Sequence, residues 1–301
     1  MPQPTLALTG ATGFCGAHLA ALATARGHRV LALGRRPARH GAHLPWDATA
    51  ADTPDLSAAD AVIHCAAAVG DHPPGSPQER LQRAVNVEAT ARLLAAAGDR
   101  PFVFVSSASV YDPRPDRSSV TEQHPTAGGH LNAYGRTKAE ADRLALAAGA
   151  VVLRPRAVYG PGDPHLAPRL LASVRAGVLA LPGPDVPLSL TAVENLAAAC
   201  LAALDWPPGA YNIADAAPYR RDDALRRVLA AHRVRARLLH VPHRLAGLAV
   251  GRRDGVTRYA LDQLARPVVL DTTKSRLQGF TPDRDLGHHL AHLAGQLPGC
   301  A

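Results

Sequence analysis

Aromatic side chains are scarce: 4% of the 301 residues are Phe, Trp or Tyr. That leaves little to stack against a nucleobase and disfavours a nucleotide-sugar substrate. The four cysteines, at 15, 65, 200 and 300, have no CxxC spacing, so neither a zinc site nor a disulfide framework is expected. No apolar run approaches the roughly 20 residues of a membrane span; the nearest is LAGLAV from Leu245 to Val250. The first residues run straight into a strand pattern without a leader-like segment, and a cytoplasmic protein is expected. Lysine is almost missing: among 33 Lys and Arg residues, lysine stands only at 138 and 274. The formal charge of +8 comes from scattered arginines with no dense basic run. This argues against nucleic-acid binding and leaves the charge for a phosphate-bearing cofactor or substrate.

What is present begins with TLALTGATGFCG, from Thr5 to Gly16. A buried strand is followed by glycines at 10, 13 and 16 that open a helix. Gly10 permits the tight strand-to-helix turn, Gly13 lets a pyrophosphate approach the backbone, and Gly16 lets the helix pack on its strand. The helix N-terminus, with unpaired N–H groups and a positive dipole end, suits the phosphates. HRVLALG from His28 to Gly34 is the second strand. At its end, where an acidic residue would bind a ribose 2′-hydroxyl, stand Gly34, Arg35 and Arg36. Two guanidinium groups there suit a 2′-phosphate, so NADP(H) is the expected cofactor, with NAD(H) the alternative. Asp47 falls where a third strand ends and is a candidate adenine partner.

Further strands are expected at Asp60–Ala67, Phe102–Ser107 and Val151–Arg154, with helices ending at Gly98 and running from Asn132 to Gly149. Strands alternating with helices predict an α/β protein with a doubly wound parallel sheet. His64 lies inside a strand and reads as a satisfied structural histidine. The loop from Gly70 to Pro77 opens at the ligand edge of the sheet. Beyond residue 160 the chain is expected to alternate between the sheet and a smaller, mainly helical substrate lobe. A Rossmann-type domain over 1–160 is rejoined by 187–215, and the lobe takes 161–186 and 216–301. HLAPRLLASVRA from His165 to Ala176 reads as one amphipathic helix. PLSLT from Pro187 and GAYNIA from Gly209 read as strands returning to the sheet, and 216–268 as mainly helical. His288 and His292 share a helix face, but no carboxylate is placed beside them, so a surface helix is expected and no metal. Cys15 reads as a small buried residue.

The chemistry centres on YGRTK, from Tyr134 to Lys138. Residues four apart on a helix share a face, so phenol and ammonium can enter one cleft. A free Tyr, with a pKa of about 10, is a poor base at neutral pH; a neighbouring cation favours the phenolate. In a chain that uses Arg nearly everywhere, this Lys is a choice for a compact ammonium. Ser107, in SSASVY from Ser106 to Tyr111, lies at the C-terminal edge of the fifth strand, where its hydroxyl can orient a substrate oxygen. Ser106 and Ser109 are the competing hydroxyls.

Together these motifs resemble the extended short-chain dehydrogenase/reductases of the NAD-dependent epimerase/dehydratase family. The resemblance is carried by TGATGFCG, HCAA, NVEAT, SSASVY, YGRTK and LRPRAVYGPG. YGPGDPHLAPRL, VENLA and VLDTTKSRLQGFTP lean toward the 3β-hydroxysteroid and sterol dehydrogenase-like branch. The resemblance implies a catalytic Ser107, Tyr134 and Lys138. It implies a cofactor bed of Gly10, Thr12, Gly13, Phe14, Cys15, Gly16, Arg35, Arg36, Asp47, Cys65, Ala66, Ala67, Asn86, Val105, Tyr134, Lys138, Pro155 and Val158. It also implies a homodimer joined through the helices bearing Asn86 and Tyr134. The expected reaction is hydride transfer between a nicotinamide and a secondary alcohol or ketone. A nucleotide-sugar epimerase retaining its NAD, and a dinucleotide sensor without turnover, are the alternatives.

Overall fold

The structure, a computed structural model, describes residues 3–248, 250 and 256–296. Cys300 and parts of the expected lobe lie outside these. The first half of the chain runs β1 (Thr5–Thr9), α1 (Phe14–Ala25), β2 (Arg29–Gly34), β3 (Ala42–Pro45), β4 (Ala61–His64) and α2 (Gln78–Arg83). A π-helical turn over Ala84–Glu88 leads to α3 (Ala89–Ala97), β5 (Phe102–Val105), α4 (Ala133–Ala147) and β6 (Val151–Pro155). Then come β7 (Val158–Tyr159), α5 (Leu166–Ser173), β8 (Val178–Pro182), β9 (Pro187–Leu188), β10 (Thr191–Ala192), α6 (Val193–Ala202) and β11 (Gly209–Ile213). The chain continues through β12 (Tyr219–Arg220), α7 (Arg221–Ala231), β13 (Arg237–Val241), α8 (His243–Gly247), α9 (Arg258–Ala265), α10 (Thr273–Leu277) and α11 (Leu286–Gln296).

Side chains along a strand alternate between faces, and the inner strands use both. Leu6, Leu8, Ile63, Val103, Val105 and Leu153 join one apolar layer with Leu19 of α1 and Leu196 of α6. The intervening Ala7, Val62, Phe104 and Val152 join the other layer with Leu93 of α3 and Ala141 of α4. Strands apolar on both faces require helices on both sides. The seven strands lie in the order β3-β2-β1-β4-β5-β6-β11, all parallel. The order reverses between β1 and β4, and in such sheets a ligand crevice opens beyond the strand ends at that point. No helix among the described residues is long and apolar enough to cross a membrane.

Several boundaries differ from the sequence expectation. Strand β4 stops at His64 and β5 at Val105, although the Ser106 amide still donates to the Leu153 carbonyl at 2.7 Å. The helix expected from His165 to Ala176 spans only Leu166–Ser173. Arg175 bridges back to Val178 across a tight turn whose central residues, Ala176 and Gly177, have φ of 47° and 72°, a conformation no helix contains. PLSLT does not rejoin the large sheet: β9 pairs with β12 and β10 with β7, whereas β11 does join, beside β6. The region 216–268 also contributes a strand, β13, which pairs in parallel with β8.

Candidate active site

The glycine-rich turn is shaped by backbone contacts that a side chain would fill. Gly10 adopts φ 75°, and a Cβ there would stand 2.8 Å from the Ala66 nitrogen. A Cβ on Gly16 would stand 2.1 Å from the Gly10 carbonyl oxygen, so α1 can seat on the turn only without one. The Gly13 amide donates to that same oxygen at 2.8 Å. Thr12 and Gly13 are exposed, with Phe14 and Cys15 half-buried behind them. Burial, with Cys65 and Asp163 nearby, pushes the Cys15 thiol up to about 12, so it is not a thiolate. The cradle fits a dinucleotide pyrophosphate: open backbone at a helix N-terminus, with no side chain in the way.

The opposite wall of that turn is held by a directed chain of hydrogen bonds. The Thr90 hydroxyl donates to the Asn86 carbonyl (2.7 Å) and so accepts from His64 Nε2 (2.9 Å). Nδ1 is then the acceptor, taking the Thr9 hydroxyl at 2.6 Å, while Thr9 Oγ1 accepts from the Ala66 amide at 3.1 Å. The donors and acceptors fix a neutral imidazole, and burial together with the Lys138 charge holds His64 down at about 3. His64 is a strut, as its position inside a strand suggested. Cys65, Ala66 and Ala67 follow it half-buried at the crevice.

Asn86 sits behind this loop. Its side-chain oxygen accepts from the Ala68 amide (2.8 Å), and its nitrogen donates to the Ala68 carbonyl (3.1 Å) and to Thr137 Oγ1 (3.0 Å). Sequence reasoning put Asn86 in the cofactor bed, and in the structure its amide ties the loop after β4 to α4. The π-helical turn that carries it re-aims the helix at this point.

At the ends of β2 and β3, Arg35 and Arg36 are exposed, and among the described residues neither forms an ion pair with a carboxylate. Asp47 accepts from the Thr49 amide (2.9 Å) and hydroxyl (2.8 Å). These bonds, and more weakly Arg35, hold its carboxyl below the usual range.

The hydroxyl group of interest is selected by its neighbours. Ser106 is buried and donates to Asp142 Oδ2 at 2.6 Å, within an ion pair between Asp142 and Arg154 at 2.6 Å. Ser109 donates to Ser107 Oγ at 2.9 Å. Ser107 therefore remains to meet Tyr134, and it lies near enough to favour the ionised form of that phenol. Helix α4 presents that phenol because Asn132 caps it, accepting from the Gly135 amide at 2.8 Å. Burial, chiefly, and nearby Tyr259 hold the Tyr134 hydroxyl well above its ordinary pKa, against the lowering effect of Ser107. One turn on, Lys138 is buried; its Nζ donates to the Val105 carbonyl at 2.7 Å and lies 4.0 Å from the Phe104 ring centroid. Desolvation lowers Lys138 to about 7, with Asp142 opposing. Pro155 and Val158 lie beside the site, at the end of β6 and the start of β7. Between them Ala157 has φ 46°.

Three contributors were not found from the sequence. Asp71, in the loop from Gly70 to Pro77, accepts from the Thr257 hydroxyl and from Asn132 Nδ2 (3.1 Å). It thus joins the caps of α9 and α4 and closes the C-terminal segment over the crevice. Tyr259 and Arg156 enter the same region. The available signal was the charged residue in RPRAVY immediately after a strand; Tyr259 carried none, because it arrives from more than a hundred residues downstream.

A parallel sheet with a glycine-rich turn at its switch point and a Ser-Tyr-Lys cluster at its C-terminal edge defines a nicotinamide-dinucleotide-binding protein. The comparisons with known proteins agree: residues 6–214 match the NAD dependent epimerase/dehydratase family profile, and the chain belongs to that family. A 3 beta-hydroxysteroid dehydrogenase/Delta 5-->4-isomerase of Mycobacterium tuberculosis is 33% identical over 252 residues, covering 74% of this chain and 68% of that one. Sterol-4-alpha-carboxylate 3-dehydrogenase, decarboxylating, of Candida albicans is 33% identical over 143 residues, 44% of this chain; the match spans 39% of that relative. The fold is shared with MoeE5, solved with UDP-glucuronic acid and NAD, at a TM-score of 0.76, 24% identity and coverage of 97% and 98% of the two chains.

Proposed function

We propose that the chain is a dehydrogenase/reductase that prefers NADP(H) and interconverts a secondary alcohol and a ketone. The observation that carries this reading is the placement of Tyr134 near Ser107, one helical turn before a buried Lys138, at the sheet's ligand edge. The nicotinamide, when bound, supplies or accepts the hydride. Ser107 holds the substrate oxygen by hydrogen bonding, and Tyr134 gives it a proton in reduction or takes one in oxidation. With its pKa held high, Tyr134 carries its proton at neutral pH, which suits the reductive direction. Lys138 stabilises negative charge on the Tyr134 oxygen and offers ribose a donor. Residues Gly10 to Gly16 would cradle the pyrophosphate, with Cys65 to Ala67, Pro155 and Val158 as the bed for the rest. Asn86 acts as a positioning residue through Ala68 and Thr137. The relatives named above act at carbon 3 of sterol skeletons by their names, so 3-oxosteroids belong in the first ketone panel. The reading includes a lobe over 161–186 and 216–301 that selects the substrate, and a homodimer through α2, α3 and α4.

Two measurements test it. Denaturing the purified protein and identifying any released dinucleotide separates the alternatives: an empty protein that then oxidises NADPH with a ketone supports the proposal. Near-stoichiometric retained NAD without ketone turnover points to an epimerase. For the cofactor, Arg35→Ala with Arg36→Ala should reduce kcat/KM for NADPH about tenfold or more, the scale of one charge-assisted hydrogen bond, and leave NADH within about twofold. Equal losses for both cofactors would remove the arginines from 2′-phosphate recognition.

A further inference from the structure

Among the described residues, the deep arginines are of two kinds. Arg117 pairs with Asp262 at 2.8 Å, Arg154 with Asp142 at 2.6 Å and Arg221 with Asp222 at 2.9 Å. Each of these buried cations faces a carboxylate, as the cost of removing an ion from water demands. Arg156 does not. It is 5% exposed, and all its hydrogen-bond partners are neutral. Nη1 donates to the Ser189 carbonyl at 2.7 Å, and Nη2 makes only long contacts, 3.2 Å each, to the carbonyl and Oε1 of Gln263. Nε is buried with no partner. Asp262 is near enough to act on Arg156, but both its oxygens accept from Arg117 Nη2, at 2.9 and 2.8 Å. Burial and the neighbouring Arg117 bring the guanidinium down to about 10, which leaves it cationic at neutral pH.

Its position connects this unsatisfied cation with the chemistry. Arg156 directly follows Pro155 at the C-terminal end of β6, and the left-handed Ala157 then turns the chain away. Gln263, its soft partner, shares a face of α9 with Tyr259, four residues earlier. Tyr259 acts electrostatically on both Arg156 and Tyr134. One face of α9 therefore spans from the phenol to the guanidinium. The under-satisfied edge of Arg156, the unpartnered Nε and the loosely held Nη2, is the fork that binds a carboxylate through two parallel N–H···O bonds once Gln263 gives way.

We propose that Arg156 anchors a carboxylate on the substrate, making this site one for oxo and hydroxy acids rather than for neutral ketones and alcohols. The acid docks on the Nε–Nη2 edge and displaces the Gln263 side-chain oxygen, while the alcohol or carbonyl oxygen of the same molecule lies at Ser107 and Tyr134. This rests on the dehydrogenase/reductase reading of that pair.

The test is calorimetric titration of the full chain, saturated with NADP+, with 3-hydroxydecanoate and with its methyl ester. The wild type should bind the acid about tenfold or more tighter than the ester. Arg156→Met should abolish that preference, costing the acid far more affinity than the ester, and Arg156→Lys should restore part of it. Equal binding of the two probes by the wild type, binding of neither, or a preserved acid preference in a folded Arg156→Met overturns the anchor. Should Arg156→Met fail to fold, Arg156→Lys and the wild-type comparison decide. Reduction of 3-oxodecanoate and its methyl ester with NADPH, run in parallel, separates the two levels of the argument. Acid-selective binding without turnover sinks the reductase reading and keeps the anchor, whereas equal turnover of acid and ester does the reverse.

Discussion

Tyr134→Phe should bind NADPH as the wild type does and lose turnover by about 10²–10⁴-fold, the range a positioned acid or base contributes. The substitution removes one oxygen from a half-buried side chain and leaves the ring, so the helix and its Asn132 cap stay in place. The pH dependence of the wild type reports the same group together with Lys138, which desolvation brings to about 7. Because burial raises the Tyr134 pKa, the acid form dominates through neutral pH and beyond. Ketone reduction therefore does not wait on this group at neutral pH, whereas alcohol oxidation, which needs the phenolate, should climb as pH rises through the alkaline range. Fluorescence titration with NADPH and initial rates in both directions check these statements. A Tyr134→Phe variant that turns over normally, or oxidation that is flat from about pH 6 to 10, would remove Tyr134 from the proton-transfer role.

The second large effect is expected at a residue that touches no substrate. Gly16→Ala places a methyl group 2.1 Å from the Gly10 oxygen and 2.6 Å from the Gly10 carbonyl carbon. Both atoms belong to backbone, and Gly10 is itself fixed by a positive φ and by the Ala66 nitrogen behind it. The clash cannot be relieved by a rotamer; α1 must lift from the turn. Overpacking of this kind costs about 1–3 kcal/mol, and with backbone on both sides the upper end applies. A lower urea midpoint and an NADPH Kd raised about tenfold or more are the expected readings. A Gly16→Ala variant with both unchanged would mean that α1 does not need to seat on Gly10 to build the cradle.

Much of this site is legible in the sequence because its chemistry is local. The three glycines fall within one turn and the start of one helix, and Tyr134 and Lys138 are one turn apart, so spacing alone places them. The choice among Ser106, Ser107 and Ser109 is not local. It is made by Asp142, which engages Ser106 from α4, and Asp142 is oriented in turn by Arg154 of β6. The family resemblance put Asn86 near the crevice but did not say which way its amide faces, because its partner Thr137 lies 51 residues away. The helix expected to reach Ala176 ends early because a tight turn around Ala176 and Gly177 supplies bonds that further helix would have made. Arg156 and Tyr259 are brought together only by the return of α9 over the sheet edge, a tertiary event with no periodic trace.

The hydrogen-bond chain through Thr9, His64 and Thr90 has a mechanical consequence. Every donor in it has one acceptor and the imidazole has no second tautomer to offer, so the glycine-rich turn, the end of β4 and the helix carrying Asn86 are joined by bonds with a single arrangement. The other side of the crevice is joined to them through Asp71, where two side chains meet one carboxylate. The crevice therefore has one wall built by local chain and a facing wall that arrives from far downstream, held at Asp71 and again where Asp262 meets Arg117 and Gln263 meets Arg156.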